Sequence, residues 1–176
     1  MSVGKKVIYV GSTNDLKKLS KELKEYEELK LKQLEIYRQR LAEEIRKEAE
    51  TAFNASSVDD IIKGGSPHKA DVSVTVSHSG DVSIIVANGE DAVWCEFGAG
   101  VYHNGSVGSS PNPYGSEHGM TIGSYGKGKG ANKVWVYKSD DDEWVVTHGT
   151  AATMPMYRAL LSVADRSIAI AREVFK

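Results

Sequence analysis

The residues best suited to chemistry in this chain are a single cysteine, five histidines and one run of alternating glycine and lysine. Metal sites need His, Cys, Asp or Glu side chains at short, regular spacings. No two histidines have the three- or four-residue spacing of a helical pair, and no HExxH or CxxC motif is present. Loop histidines exposed to solvent are the simpler interpretation, so we predict no metal site and no cofactor. The residues considered were His68, His78, His103, His118 and His148, with Glu96 and Glu117 as neighbours.

Cys95 could form a nucleophilic triad with His148 and Asp142. A reactive thiolate needs an exposed site, often at a helix N-terminus. Cys95 instead lies inside the apolar run Val93–Phe97, where a small core residue is expected. Together with the absence of a metal motif, of a nucleotide-binding motif and of any sign of a cleft for an acid–base pair such as Asp91 and Glu96, this predicts that the protein is not an enzyme.

Lys127 and Lys129 alternate with glycine in Gly126–Gly130. A phosphate-binding P-loop requires the pattern GxxxxGK[ST] between a strand and a helix. Here no Ser or Thr follows the lysine, and the next element has the pattern of a strand. The run predicts a basic loop, whose two lysines are the local candidates for transient contact with DNA phosphates.

Composition excludes several broad classes of function. The chain has 176 residues and a formal net charge of −2, so it carries no global basic field to hold nucleic acid by counterion release. One cysteine excludes an internal disulfide framework. No apolar run reaches the length of a membrane span, and the short run Val7–Val10 is no signal peptide. We expect a soluble protein made in the cytoplasm.

The element with the strongest sequence signal is an N-terminal helix. Residues 15–53 contain no Gly or Pro and consist mostly of strong helix formers. This pattern predicts one long helix, or two in series, with Ser12, Thr13 or Asn14 as the N-cap. An apolar stripe fails at Lys30 and Gln33 and then resumes, which indicates a bend or a change of packing partner. The stripe begins with Leu16, Leu19, Leu23 and Tyr26 and resumes with Leu34, Tyr37, Leu41, Ile45, Ala49 and Phe53.

Two hairpins follow the helix. In the first, valines alternate with polar residues over residues 71–77 and 81–86, which predicts pairing of Val76 with Val82 around a three-residue loop ending at Gly80. In the second, a four-residue acidic loop, Ser139–Asp142, would place Trp135 and Tyr137 on the same face as Trp144 and Val146. The segment between the hairpins, Asp91–Phe97, is compatible with a third strand or a short helix.

Between these elements and the C-terminus lie a long loop and a last helix. The segment Gly98–Gly130 holds ten glycines, and a loop of that length in a small domain is usually functional or disordered. Thr153 is a candidate cap for a helix that begins near Pro155. We predict an α+β fold, with an antiparallel meander of about four to five strands and the C-terminal helix packed on the sheet. Residues 1–56 would form an N-terminal strand and long charged helix, and residues 57–176 the core domain with its loop 98–131.

Two short motifs flank the loop and resemble a known family. Glu96-Phe97-Gly98-Ala99-Gly100 is similar to a Glu-Phe-Gly-Thr-Gly motif that ends an apolar segment in neck and tail-completion proteins of long-tailed bacteriophages. The segments His148–Thr150 and Met154–Met156 are similar to the Gly-Thr-x-x-x-Pro segment that leads into the terminal helix of that family. The order of parts also matches: charged helix, motif, glycine-rich loop, tryptophan-bearing hairpin and last helix.

The resemblance implies a structural virion component. Proteins of this family form rings, often sixfold, that cap the tail tube or join it to the head-closure and portal-proximal proteins. It implies a homo-oligomeric ring in the virion neck, made in the host bacterial cytoplasm, with DNA passing transiently through the lumen and no membrane partner. The expected subunit contacts are Leu16, Leu19, Leu23, Tyr26, Glu96, Phe97, Gly98, Gly100 and Met156, with Lys127 and Lys129 nearest the lumen.

Two other classes of function stay open at the level of sequence. One is a small metal-dependent or cysteine hydrolase that uses the histidines or Cys95. The other is an adaptor module that binds one protein through its N-terminal helix. A helix of about 40 residues spans about 60 Å. One small domain cannot cover both ends of it, which favours the assembly and adaptor interpretations over the enzyme.

Overall fold

A computed structural model describes residues 11–58, 68–98, 112–115, 117, 135–138, 141–147, 150 and 152–176. The N-terminal helix, α1, is one continuous helix, Thr13–Asn54. Ser12 is its N-cap, and the Ser12 side chain accepts a hydrogen bond from the backbone N–H of Asp15 at 3.3 Å. The absence of Gly and Pro therefore produces a single helix rather than two.

The C-terminal helix, α3, comprises Pro155–Val174 and packs chiefly along α1. The two helices run antiparallel, because Thr153 lies beside Ser56 while Val174 lies beside Gln33. The prediction that this helix packs on the sheet needs correction, since α1 is its main partner and α1 itself carries the contacts with the first hairpin.

The core lies where the C-terminal half of α1 meets the rest of the chain. Phe53 and Ala49 are almost fully buried there together with Cys95 from the short helix α2, Ala92–Phe97. Segments that are distant in sequence thus share one apolar cluster. The other buried members are Val58, Ala70, Val74 and Ala159.

The first hairpin consists of β3, Ser73–Ser79, and β4, Val82–Asn88. It is antiparallel as predicted, but the predicted register is wrong. Ser79 pairs with Val82, and the turn is the two residues Gly80-Asp81 rather than three. Gly80 has φ +52°, and a two-residue turn of type II′ places glycine at this first position.

This change of register inverts one strand. Val76 pairs with Ile85 instead of Val82, a shift of three residues. Any odd shift moves every side chain of one strand to the opposite face, because the side-chain period of a strand is two. Val74 is buried and Ile85 is half-buried against the core, whereas the alternating apolar residues of β4 face outward. Those outward residues are Val82, Ile84 and Val86, which are 57%, 52% and 42% exposed.

The second hairpin, β5 (Trp135–Lys138) and β6 (Trp144–Thr147), also differs from its predicted register. Lys138 pairs with Trp144, so five residues connect the strands instead of four. Trp144 consequently lies on the same face as Lys138 and Val136, and Trp144 is 64% exposed. The predicted register, on which the cross-strand aromatic cluster depended, is therefore wrong.

The predicted mixture of helix and strand is confirmed, but the single meander is not. Each described sheet has two strands: the two hairpins and a two-residue pairing of β1 (Ser57–Val58) with β2 (His68–Lys69). The segment left open between strand and helix forms α2. The predicted N-terminal strand lies outside the described residues.

Candidate functional site

The two sequence motifs that flank the long loop meet at the N-terminus of α3. Glu96 of α2 is only 8% exposed, and its carboxylate accepts backbone hydrogen bonds from Met156 at 2.8 Å and from Tyr157 at 3.0 Å. The first N–H groups of a helix have no acceptor within the helix. The N-cap residue Met154 makes no side-chain cap and has φ +54°. Glu96 therefore supplies the cap for α3 from another element.

A third segment joins this carboxylate. The side-chain amide of Asn112 donates to Glu96 at 2.8 Å, and Asn112 is 2% exposed. The carbonyl of the same amide accepts from the Tyr114 backbone at 3.0 Å, and the Tyr114 ring makes an edge contact with Tyr157. Asn112 thus ties part of the glycine-rich loop to both helices.

The charge state of Glu96 reflects two opposing causes. Burial raises the pKa of the Glu96 carboxyl, and the hydrogen bonds from Met156, Tyr157 and Asn112 partly offset that rise. A carboxyl held by three donors inside the chain is a positioning group for α3 and the loop.

Cys95, next in sequence, lies in a second polar junction. Its backbone carbonyl accepts from Thr153 at 2.9 Å and from Met154 at 3.2 Å. The Thr153 hydroxyl is 2.7 Å from that of Ser56 at the end of α1. The predicted helix cap Thr153 is therefore wrong, because its hydroxyl bonds to Ser56 and to Cys95 instead of to α3.

The thiol of Cys95 is fully buried. Burial, assisted by the charge of Asp91, raises the pKa of this thiol to about 11. At neutral pH the sulfur is protonated, and the thiolate is the nucleophilic form of cysteine. This environment counts against a cysteine hydrolase. His148, the proposed base, lies outside the described residues.

Near these junctions the surface forms a groove of about 510 Å³ between α1, β4, α2 and α3. Phe97, Tyr114 and Met156 line it, together with Ile85 and Leu160. Among the described residues, no group of three or more His, Cys, Asp or Glu side chains is placed to hold a metal ion. Three histidines considered from sequence, His103, His118 and His148, are not among those residues.

A different kind of site lies at the other end of the molecule. We call residues 13–29 of α1 the N-terminal arm. Leu16, Leu23 and Tyr26 are 50%, 59% and 59% exposed, and Leu19 is half-buried. The arm extends about 25 Å at the rise of an α-helix.

The arm begins where α3 ends. Gln33 donates its side-chain amide to the carbonyl of Val174 at 3.1 Å, and the Lys30 ammonium lies 5.7 Å from the centre of the Phe175 ring. The polar residues that interrupt the apolar stripe therefore bind the C-terminal end of α3. The interruption of the stripe thus marks the end of the contact with α3, and a second packing partner for the arm stays a prediction.

The other residues expected at a subunit interface or near the lumen lie partly within and partly outside the described residues. Phe97 and Met156 are half-buried, and Gly98 is buried with φ +80°. Gly100, Lys127 and Lys129 lie outside the described residues. The assignment of Phe97, Gly98, Gly100 and Met156 to a subunit interface, and of Lys127 and Lys129 to the lumen, stays a prediction. Sequence reasoning missed Asn112, although its position before Pro113 and Tyr114 is typical of an Asx turn.

Comparison of the chain with protein-family models, with curated proteins and with solved structures found no match. None of the helices in the described part of the chain combines the length and apolar character needed to cross a membrane.

Proposed function

We propose that the protein is a structural subunit of the neck or tail-completion ring of a long-tailed phage or a tail-like particle. Copies of the chain would close a ring, with six as the expected number, between the tail tube and the head-closure or portal-proximal proteins. The observation that carries this proposal is the N-terminal arm, whose apolar residues Leu16, Leu19, Leu23 and Tyr26 are largely open to solvent in one chain.

Two further features support an assembly role. The outward row Val82, Ile84 and Val86 adds apolar surface on the first hairpin. Monomeric proteins rarely expose large contiguous apolar patches, and such patches usually mark interaction sites. The motifs of the family resemblance also converge at Glu96, which fixes the base of the loop against α3.

The test is co-assembly with the tail-tube protein of the same particle. The wild-type chain should form closed rings at the ends of tubes in negative-stain images. A Leu19→Glu, Leu23→Glu double variant should lose the rings while keeping its helix content. Leu31→Glu is the matched control, since Leu31 is as exposed as Leu23 but lies outside the arm. A wild-type chain that stays monomeric with tail tubes present would overturn the proposal.

An adaptor module is the alternative that the same arm supports. Deletion of residues 15–28 would then abolish binding to one partner protein, and no ring would exist to be lost. Images of the wild-type complex separate these two outcomes directly.

A further inference from the structure

The arm carries a pattern that continues the contact line between α1 and α3. Between Lys30 and Glu44 of α1, the residues that meet the last part of α3 are spaced alternately three and four apart. Continued toward the N-terminus with the same spacing, the line passes through the four apolar residues of the arm. We call the whole line the seam. Its members are Leu16, Leu19, Leu23, Tyr26, Lys30, Gln33, Tyr37, Arg40 and Glu44.

The seam has the spacing of a coiled-coil contact, in which one helix packs on another. α3 occupies it from Glu44 to Lys30 and ends at Val174. Beyond that point the seam changes from polar to apolar in character. A second helix following α3 along the same line would therefore meet Leu16, Leu19, Leu23 and Tyr26.

The charges of the arm favour a second copy of the arm as the helix that packs on these residues, and they favour an antiparallel orientation. Residues 13–21 carry three lysines and one aspartate, whereas residues 22–29 carry four glutamates and one lysine. In two parallel arms in register, the basic halves would meet and the acidic halves would meet. In two antiparallel arms, each basic half lies beside an acidic half, which is attractive at moderate salt.

The seam residues also fit an antiparallel pair. With Leu16 opposite Tyr26 of the second copy, Leu19 falls opposite Leu23, and all four apolar residues are matched. The start of each arm then lies next to the C-terminal end of α3 of the other copy. The positive N-terminal end of one helix dipole meets the negative end of another, which adds to the attraction.

We infer that two copies of this chain pair antiparallel through residues 13–29, so that each arm extends the course of the other copy's α3. This inference goes beyond the proposed ring and does not depend on it. A twofold contact does not propagate around a ring. The pair is therefore the form of the free protein, and ring closure through the same leucines requires the arms to separate.

Sedimentation velocity of the full-length protein from about 5 to about 500 µM tests the pairing. We expect a monomer–dimer equilibrium for the wild type. Leu23→Glu should raise the dissociation constant on the order of 100-fold, because the substitution occurs twice in the dimer. Leu31→Glu should leave the constant unchanged, and circular dichroism should show the same helix content in all three proteins. A monomer across the whole range, or a dimer insensitive to Leu23→Glu, overturns the inference.

Disulfide trapping tests the direction. Ser20 lies next to the twofold axis of the antiparallel pair, so Ser20→Cys should link to itself between copies. Leu16→Cys should not, because the two sites lie at opposite ends of the pair. The native thiol of Cys95 is buried in both variants. Self-linking of Leu16→Cys without Ser20→Cys would show parallel arms and overturn the assignment.

The two proposals fail separately. Rings on tail tubes without a dimer in free solution would remove the arm pair and keep the proposed function. A dimer with the expected behaviour, but no ring on tail tubes, would keep the pair and remove the function.

Discussion

The two halves of α1 have similar composition but different surroundings. In the C-terminal half, Phe53 and Ala49 are buried in the core, and α3 lies along the seam from Lys30 onward. In the arm, Leu23 and Tyr26 occupy the same seam and are each 59% exposed. Helix formation is therefore a property of both halves, whereas burial depends on which element lies opposite.

The largest expected effect contrasts one residue from each half. Phe53→Ala removes a ring that is 1% exposed and should lower the free energy of unfolding by about 3–5 kcal/mol. Leu23→Ala should cost less than about 0.5 kcal/mol when measured on dilute, monomeric protein. Urea denaturation of both variants gives the two values. Similar costs at the two sites would mean that the arm packs on its own core.

The second effect concerns the N-terminal end of α3. Glu96→Ala should cost about 2–4 kcal/mol, because it removes the helix cap and leaves the Met156 and Tyr157 amides and Asn112 without this acceptor. The control is Glu90→Ala, at an exposed residue nearby, which should cost less than about 0.5 kcal/mol. Equal stability of the two variants would show that Glu96 does not hold α3 in place.

The same carboxyl should also contribute to pH dependence. Because the folded-state pKa of Glu96 is raised, the folded state binds the proton more tightly than the unfolded state does. Its contribution to stability is fully present below the unfolded pKa and is lost as pH rises through the folded pKa. Glu96→Gln should lack this loss when unfolding free energies of the two proteins are compared across pH 3–7. If the Glu96→Gln variant lost more stability than the wild type as pH rises, the expected direction of the Glu96 contribution would be contradicted.

The third effect tests the register of the hairpin that packs on the covered half of α1. Ile85→Ala should cost about 2 kcal/mol, because Ile85 packs against the core. Ile84→Ala should cost less than about 0.5 kcal/mol, since Ile84 is 52% exposed. Thermal or urea unfolding of the two variants shows which substitution destabilises the protein more. The reverse order would restore the three-residue loop that the sequence predicts.

The smallest effect lies at the boundary between the two halves. Gln33→Ala removes the hydrogen bond to the Val174 carbonyl and should cost about 1 kcal/mol, with faster amide exchange in the last turn of α3. Gln39→Ala is the matched control, because Gln39 bonds only to Glu35 within α1 among the described contacts. Unchanged exchange in α3 after Gln33→Ala would show that the boundary is set by other contacts.

Sequence patterns were reliable for the extent of the long helices, which depends on local interactions. The run without Gly or Pro predicted the length of α1. Ser12 was among its predicted caps, and Pro155 was predicted to lie at the start of α3. The interruption at Lys30 and Gln33 coincides with the end of the contact between α1 and α3. The exposed apolar content of the arm followed from helix length alone, because about 60 Å of helix exceeds what one small core can cover.

Other features depended on the assembled chain. The alternating pattern predicted one register of the first hairpin, whereas the structure has another, in which Ile85 rather than Ile84 packs against the core. The role of Glu96 as the cap of α3 was not visible in the sequence, because its three donors come from residues 16 to 61 positions away. Neighbouring residues therefore fixed the helices and their ends. The tertiary fold chose the strand faces and the buried cap of α3, because both depend on contacts between segments far apart in the chain.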